Sequence, residues 1–180
     1  MFQCGKAFCM SKFIKIIAMK RKLYYIITMK VNIVCVGKIK EKFFTDAISE
    51  YKKRLSRFCT FNIIEVDEAS KIENLDKKSE AEGKLLLEKC SGVIVSLDGK
   101  GKQLSSPELA SFIKDAATSG SSEISFVIGG SNGLSDAVLK ASKLVLSFGK
   151  ITFPHQLFRV VLSEQIYRAF TINAGLPYHK

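Results

Sequence analysis

Three stretches of this chain have the composition of ligand loops. Gly129-Gly130-Ser131-Asn132-Gly133 puts three glycines into five residues. Glycine reaches positive φ freely and lets a ligand approach the backbone. The second stretch is Leu97-Asp98-Gly99-Lys100-Gly101, and the third is Phe148-Gly149-Lys150-Ile151-Thr152-Phe153. The glycine pentad has neither the Lys-Ser/Thr ending of a phosphate loop nor the spacing of a dinucleotide fingerprint. By itself it reads equally as a ligand loop or as a tight turn. Groups able to move a proton are few. His155 and His179 are the two histidines. No G-x-S-x-G elbow surrounds a serine, and no carboxylate–histidine spacing suggests a metal. His179 sits in the terminal Tyr178-His179-Lys180, either an unstructured tail or a functional one. Arg159, Glu164 and Arg168 share one predicted helix. Glu164 and Arg168 have the i,i+4 spacing of an ion pair, whereas Arg159 is a candidate for a nucleic-acid phosphate.

The elements that would position these stretches alternate. Val31–Val36 is a β-rich run closed by Gly37. Phe44, Ala47, Ile48, Tyr51 and Leu55 then repeat at helical spacing, with Lys52, Lys53, Arg54 and Arg57 on the other face. Phe61–Val66 reads as a second strand, followed by a polar loop over 67–78 and a helix over about 79–90. Gly92–Leu97 is a third strand, nearly continuous in apolar residues, as central parallel strands are. Asp98–Gly101 reads as a turn. The next helix starts either with Ser106 before Pro107 or with Ser105 and Glu108 as a capping box, and ends near Gly120. Ile124–Ile128 is a fourth strand, a short helix runs to about Ser142, and Leu144–Phe148 is a fifth strand. A long helix over about 156–173 follows. Strands alternating with helices predict one α/β domain with a largely parallel sheet. In such sheets ligands bind beyond the carboxyl ends of strands, which is where all three loops fall.

Composition sets wider bounds. The 180 residues are 47% hydrophobic and 25% charged, the balance of a globular domain with a real core. The net charge of +11 favours an anionic partner, with nucleic acid first. Residues 1–28 hold six of the bases and no acid, leaving +5 for the rest. That segment is read as an extension outside the fold, with Met29 as the natural start. Lys15 interrupts its apolar stretch, so it lacks the run a membrane span or secretory signal needs; a basic amphipathic peptide is the other reading. Cys4, Cys9, Cys35, Cys59 and Cys90 form no C-x-x-C pair, which removes zinc and thioredoxin-type readings. Their use suits a reducing cytoplasm.

Several of these stretches resemble one family. Phe126-Val127-Ile128-Gly129-Gly130-Ser131-Asn132-Gly133-Leu134 is similar to the glycine loop of the RlmH family of large-subunit ribosomal RNA methyltransferases. The same holds for Thr152-Phe153-Pro154-His155-Gln156 with Arg159-Val160-Val161-Leu162, for Glu164-Gln165-Ile166-Tyr167-Arg168-Ala169-Phe170, and for Tyr178-His179-Lys180. The start resembles it too, from Met29-Lys30 through Val36-Gly37-Lys38-Ile39-Lys40-Glu41-Lys42. The resemblance spans about 29–180; residues 1–28 have no counterpart in it.

The resemblance implies a SPOUT-type α/β-knot, a parallel sheet whose C-terminal chain forms a trefoil knot, in a homodimer. It implies methylation of N3 of a pseudouridine in 23S rRNA of the assembled ribosome, with S-adenosyl-L-methionine as donor and neither metal nor membrane involved. By matching position the cofactor contacts are Leu97, Gly129, Phe148, Gly149, Lys150, Ile151, Thr152 and Phe153. Such a donor is already activated, so the enzyme mainly aligns the reactants, while loss of the imide proton calls for a base or an oxyanion-stabilising donor. Tyr178 and His179 are the candidates for that task, with Arg159 and Arg168 for RNA or the dimer contact. Two further readings stand beside this one. One keeps fold and cofactor but acts on transfer RNA or another ribosomal site. The other is a ribosome-binding assembly factor that does not bind S-adenosylmethionine.

Overall fold

In the first strand, alternate side chains serve two different cores. The computed structural model describes residues 29–179, so the expectations for residues 1–28, including Cys4 and Cys9, and for Lys180 lie outside the described residues. Strand β1 (Lys30–Val36) sends Val31, Ile33 and Cys35 into one cluster and Val34 and Val36 into another. Strand β4 (Glu123–Ile128) does the same, with Ile124, Phe126 and Ile128 on one side and Val127 on the other. A strand buried on both faces has no solvent side, which explains why both runs are apolar apart from the buried Asn32 and Ser125.

Five strands form one sheet in the order β2-β1-β4-β3-β5, and every pairing is parallel. The others are β2 (Thr60–Val66), β3 (Val93–Gln103) and β5 (Leu144–Ser147). The larger cluster is covered by α1 (Lys42–Leu55), α3 (Ser106–Thr118) and α5 (His155–Asn173), which supply Leu55, Ile113, Leu162, Ile166 and Phe170 among others. The smaller cluster is covered by α2 (Leu75–Lys89) and α4 (Asp136–Ala141) through Leu86 and Val138. The result is a three-layer α/β/α domain, as expected from the alternation of elements.

Several boundaries differ from the sequence reading. Helix α2 begins at Leu75, not near 79, because the Asn74 side chain accepts a hydrogen bond from Lys77 N–H at 2.9 Å and caps a polar first turn. The expected turn at Asp98–Gly101 lies inside β3. There the register jumps so that Leu97 and Lys102 both face Leu146, a bulge. Gly101 lets β3 return to β5, since a Cβ there would lie 2.6 Å from the Val145 carbonyl oxygen. Strand β5 ends at Ser147, which places Phe148 in the loop, and α5 starts at His155. Of the two proposed starts for α3, the capping box is the one formed: Glu108 Oε2 accepts from Ser105 N–H at 2.7 Å, with Ser105 as N-cap.

Candidate active site

The carboxyl ends of β3, β4 and β5 surround a cavity of about 360 Å³, a size suited to a small ligand. Leu97, Gly129 and every residue from Phe148 to Phe153 line it. Asp98 and Ser131, within the first two ligand loops, line it as well, and so do His155 and Phe158, which sequence reasoning had not assigned to a ligand. His155 could have been found, since it directly follows the third loop and opens the last helix.

The glycine loop uses its three glycines for three different reasons. A Cβ on Gly129 would lie 2.5 Å from the Gly133 carbonyl oxygen, across the neck of the loop. A Cβ on Gly130 would lie 2.6 Å from Glu82 Oε2. Gly133 is needed for its conformation, with φ at +78°, and its N–H donates to the Gly130 carbonyl at 3.1 Å. The third loop turns at Gly149, φ +107°. Its N–H donates to Ser147 Oγ at 3.2 Å, while that hydroxyl donates to the Gly99 carbonyl, also at 3.2 Å. One serine thus ties together two of the three loops.

The walls are apolar. Phe158 stacks on Phe153 with ring centres 5.5 Å apart and meets Phe148 edge-on at 5.1 Å. Ile151 stands exposed at the rim. Among the described residues, Asp98, Lys150 and His155 are the ionisable side chains on the lining. Such a site holds a flat apolar ring by shape and polar edges by backbone groups, with little fixed charge.

The terminal residues lie elsewhere. Tyr178 Oη donates to Glu164 Oε1 at 3.1 Å, and the same carboxylate oxygen accepts from Arg168 Nη2 at 2.6 Å. The Arg168 guanidinium sits over the Tyr178 ring at 4.9 Å and approaches His179 Nδ1 to 3.5 Å. Burial, and next the Glu164 carboxylate, push the Tyr178 phenol above its ordinary pKa. At neutral pH it is therefore a donor rather than a base. The expected i,i+4 pair of Glu164 and Arg168 is formed, and it holds the tail. From Phe158 to Arg168 is ten residues of helix, or about 15 Å at the helical rise. Neither Tyr178 nor His179 lines the cavity.

Arg159 is placed differently from its expected role toward RNA or a partner chain. It is 2% exposed. Nη1 donates to Glu65 Oε1 at 2.8 Å, and Nη2 donates to the carbonyls of Val36 and Gly37 at 2.7 and 3.0 Å. It clamps the end of β1 to α5, so its guanidinium is engaged within this protomer.

Among the described residues no group of three or more His, Cys, Asp or Glu could hold a metal ion. Among the same residues no helix is long and apolar enough to cross a membrane. Burial pushes the thiols of Cys35 and Cys59 up to about 11 and about 12, so neither is a nucleophile at neutral pH.

A family model described as a predicted SPOUT methyltransferase matches residues 29–179. The ribosomal RNA large subunit methyltransferase H of Lactobacillus acidophilus is 53% identical over 159 residues, covering 84% of this chain and 100% of its own. The protein of the same name from Clostridium acetobutylicum is 50% identical with the same coverage. A solved structure of a probable methylase family protein from Haemophilus influenzae aligns at a TM-score of 0.49 and 10% identity, over 85% of this chain and 71% of its own.

Proposed function

Since the chain belongs to the SPOUT methyltransferase family, we propose that it methylates N3 of a pseudouridine in 23S rRNA of the assembled ribosome, acting as a homodimer with S-adenosylmethionine as methyl donor. The observation that carries the reading is the match, at half identity and over their full length, to relatives named for methylation of large-subunit ribosomal RNA. The cavity supports it. Its volume, aromatic walls and glycine-lined floor fit an adenine ring and a short polar chain. Leu97, Gly129 and Phe148–Phe153 would hold the cofactor. When bound, S-adenosylmethionine supplies an electrophilic methyl group.

The protein's own residues then have two tasks. The loops exclude water and align the acceptor with the donor. The tail positions the base and eases loss of its imide proton. Tyr178, whose one phenolic hydrogen goes to Glu164 at 3.1 Å, holds the tail in place, and His179 is the candidate to assist loss of the proton. Both stand beside Arg168, whose charge suits an RNA phosphate or the dimer contact. The charge of +5 outside residues 1–28 predicts salt-sensitive binding and modest affinity for naked RNA.

The test uses ribosomes from cells lacking this gene, labelled S-adenosylmethionine, and mass spectrometry of nuclease fragments, with free ribosomal RNA and transfer RNA as parallel substrates. Label on one large-subunit pseudouridine, in assembled ribosomes only, is the expected result. Label on transfer RNA would discard the substrate and keep the chemistry. In the same assay His179→Ala should lower turnover far more than ribosome affinity. An unchanged turnover number would remove His179 from the chemistry.

A further inference from the structure

Behind the glycine loop the protein buries a carboxylate that it satisfies only in part. Glu82, in the middle of α2, is 1% exposed. Its Oε1 accepts from Ala69 N–H at 3.1 Å, which fastens the loop 67–74 to the helix. Its Oε2 is shut off from solvent and has no hydrogen-bond partner. A buried carboxyl oxygen without a donor is costly, and such exceptions call for an explanation. This oxygen faces Gly130 so closely that a Cβ there would be 2.6 Å away. Gly130 does not have positive φ, so it is glycine to admit the carboxylate rather than to turn the chain.

The next residue of α2 meets the far end of the same loop. A Cβ on Gly83 would collide with the Ser135 hydroxyl, and that hydroxyl is also buried without a partner. One turn of α2 therefore backs both ends of the segment from Gly130 to Ser135. The front of this segment, through Gly130, Ser131 and Gly133, lines the cavity. An acceptor with no donor and a donor with no acceptor lie along the rear of a loop whose front is a binding surface.

We propose that Glu82 is a positioning residue for the cofactor. It fixes the back of the glycine loop, and its free oxygen takes its second hydrogen bond from that loop when the cavity is filled. This rests on the proposal that the cavity binds S-adenosylmethionine. Glu82 lines no part of the cavity and acts only through the loop. Neutral glutamine has the same shape but loses the charge and half of the acceptor capacity, so Glu82→Gln isolates the electrostatic part of the role.

The experiment is calorimetric titration of the full chain with S-adenosylmethionine, combined with hydrogen exchange of residues 129–135. Wild type should bind, and exchange in this segment should slow on binding. Glu82→Gln should weaken binding about tenfold or more, as expected for loss of one charge-assisted hydrogen bond, and the slowing should be reduced even at saturation. In turnover assays its KM for S-adenosylmethionine should rise while its KM for ribosomes stays put. A merely structural role would lower the melting temperature and leave affinity and loop protection of the folded protein unchanged; that result overturns the assignment. Should Glu82→Gln not fold, Gly130→Ala supplies the same test by pushing a methyl against Oε2. It should weaken binding by a similar factor, and wild-type affinity in that variant would also overturn the assignment. If wild type itself does not bind, the cofactor reading fails and takes this one with it. Binding by wild type and equally by Glu82→Gln sinks the Glu82 role alone.

Discussion

Arg159 shows how far a residue's type can mislead about its task. An arginine in a basic protein suggests phosphate, but this one holds Glu65 and two carbonyls at the end of β1. A signal was present: Arg159 lies three and seven residues before Leu162 and Ile166, both fully buried, on one stripe of α5. Arg159→Ala takes the guanidinium away from both carbonyls and from Glu65, which keeps the Ile39 N–H at 2.8 Å, and should cost on the order of 2 kcal/mol, read as a lower urea midpoint. Unchanged stability with weaker ribosome binding would return Arg159 to the RNA. The thiols present the opposite case, since Cys35 lies in the apolar run Val31–Val36 and is fully buried. With Cys35 and Cys59 raised to about 11 and about 12 by burial, both stay protonated at pH 8. Iodoacetamide should leave these two unmodified in the native protein and label them after unfolding, as peptide mass spectrometry would show. Rapid native labelling would place them outside the core. The loop glycines were legible only as a cluster. That Gly130 makes room for a carboxylate from 48 positions earlier in the chain is a tertiary fact with no local trace.

At the scale of elements, legibility followed burial. The strands stood out because two-sided burial fills them mostly with apolar residues, broken only by small polar side chains such as Asn32 and Ser125. The first turn of α2 did not, because Leu75-Asp76-Lys77 faces solvent and only the Asn74 cap marks it. The bulge in β3 was read as a turn because Asp98-Gly99 has turn chemistry, while the pairing of Lys102 and Gln103 with β5 is a long-range event. The capping box of α3 was legible from spacing, and it carries a prediction. Ser105→Ala removes the N-cap and should cost about 1 kcal/mol by thermal or urea unfolding, with methyl transfer unchanged below the transition. The docking of the tail on α5 depends on one carboxylate. Glu164→Gln should release the last residues, seen as faster digestion by a carboxypeptidase, since both Tyr178 and Arg168 bond to Glu164 Oε1. The pKa of the Tyr178 phenol is raised in the fold, so its contribution to docking is complete below the ordinary tyrosine value of about 10. It is lost as pH rises through the higher, folded value. Release of the tail at pH 7 with no further change at high pH would contradict this link.

At the scale of the whole molecule, sequence order could not announce the sheet order, in which β4 enters between β1 and β3. The trefoil knot and the homodimer came from the resemblance, as did the roles of the tail. The structure adds a constraint to those roles. In one protomer the tail is moored about 15 Å along α5 from the cavity end, held by Glu164, Arg168 and the face of Tyr167. If His179 assists the chemistry from this docked position, it does so at the cavity of a second chain. The rim fits that arrangement, since Ile151 is an exposed apolar group on it, and Gln156 ties the start of α1 to the start of α5 by accepting from Lys40 N–H at 2.8 Å. If the chain forms the proposed homodimer, mixed dimers decide the matter. Gly129→Val closes the cavity floor, because even a Cβ would crowd the Gly133 carbonyl, and His179→Ala disables the tail; each variant alone should be inactive. When the two are unfolded and refolded together in equal amounts, half of the dimers carry one chain of each kind. If the tail serves its partner, each mixed dimer regains one intact site and the mixture recovers about one quarter of wild-type activity. If the tail serves its own cavity, every site holds one defect and the mixture stays inactive.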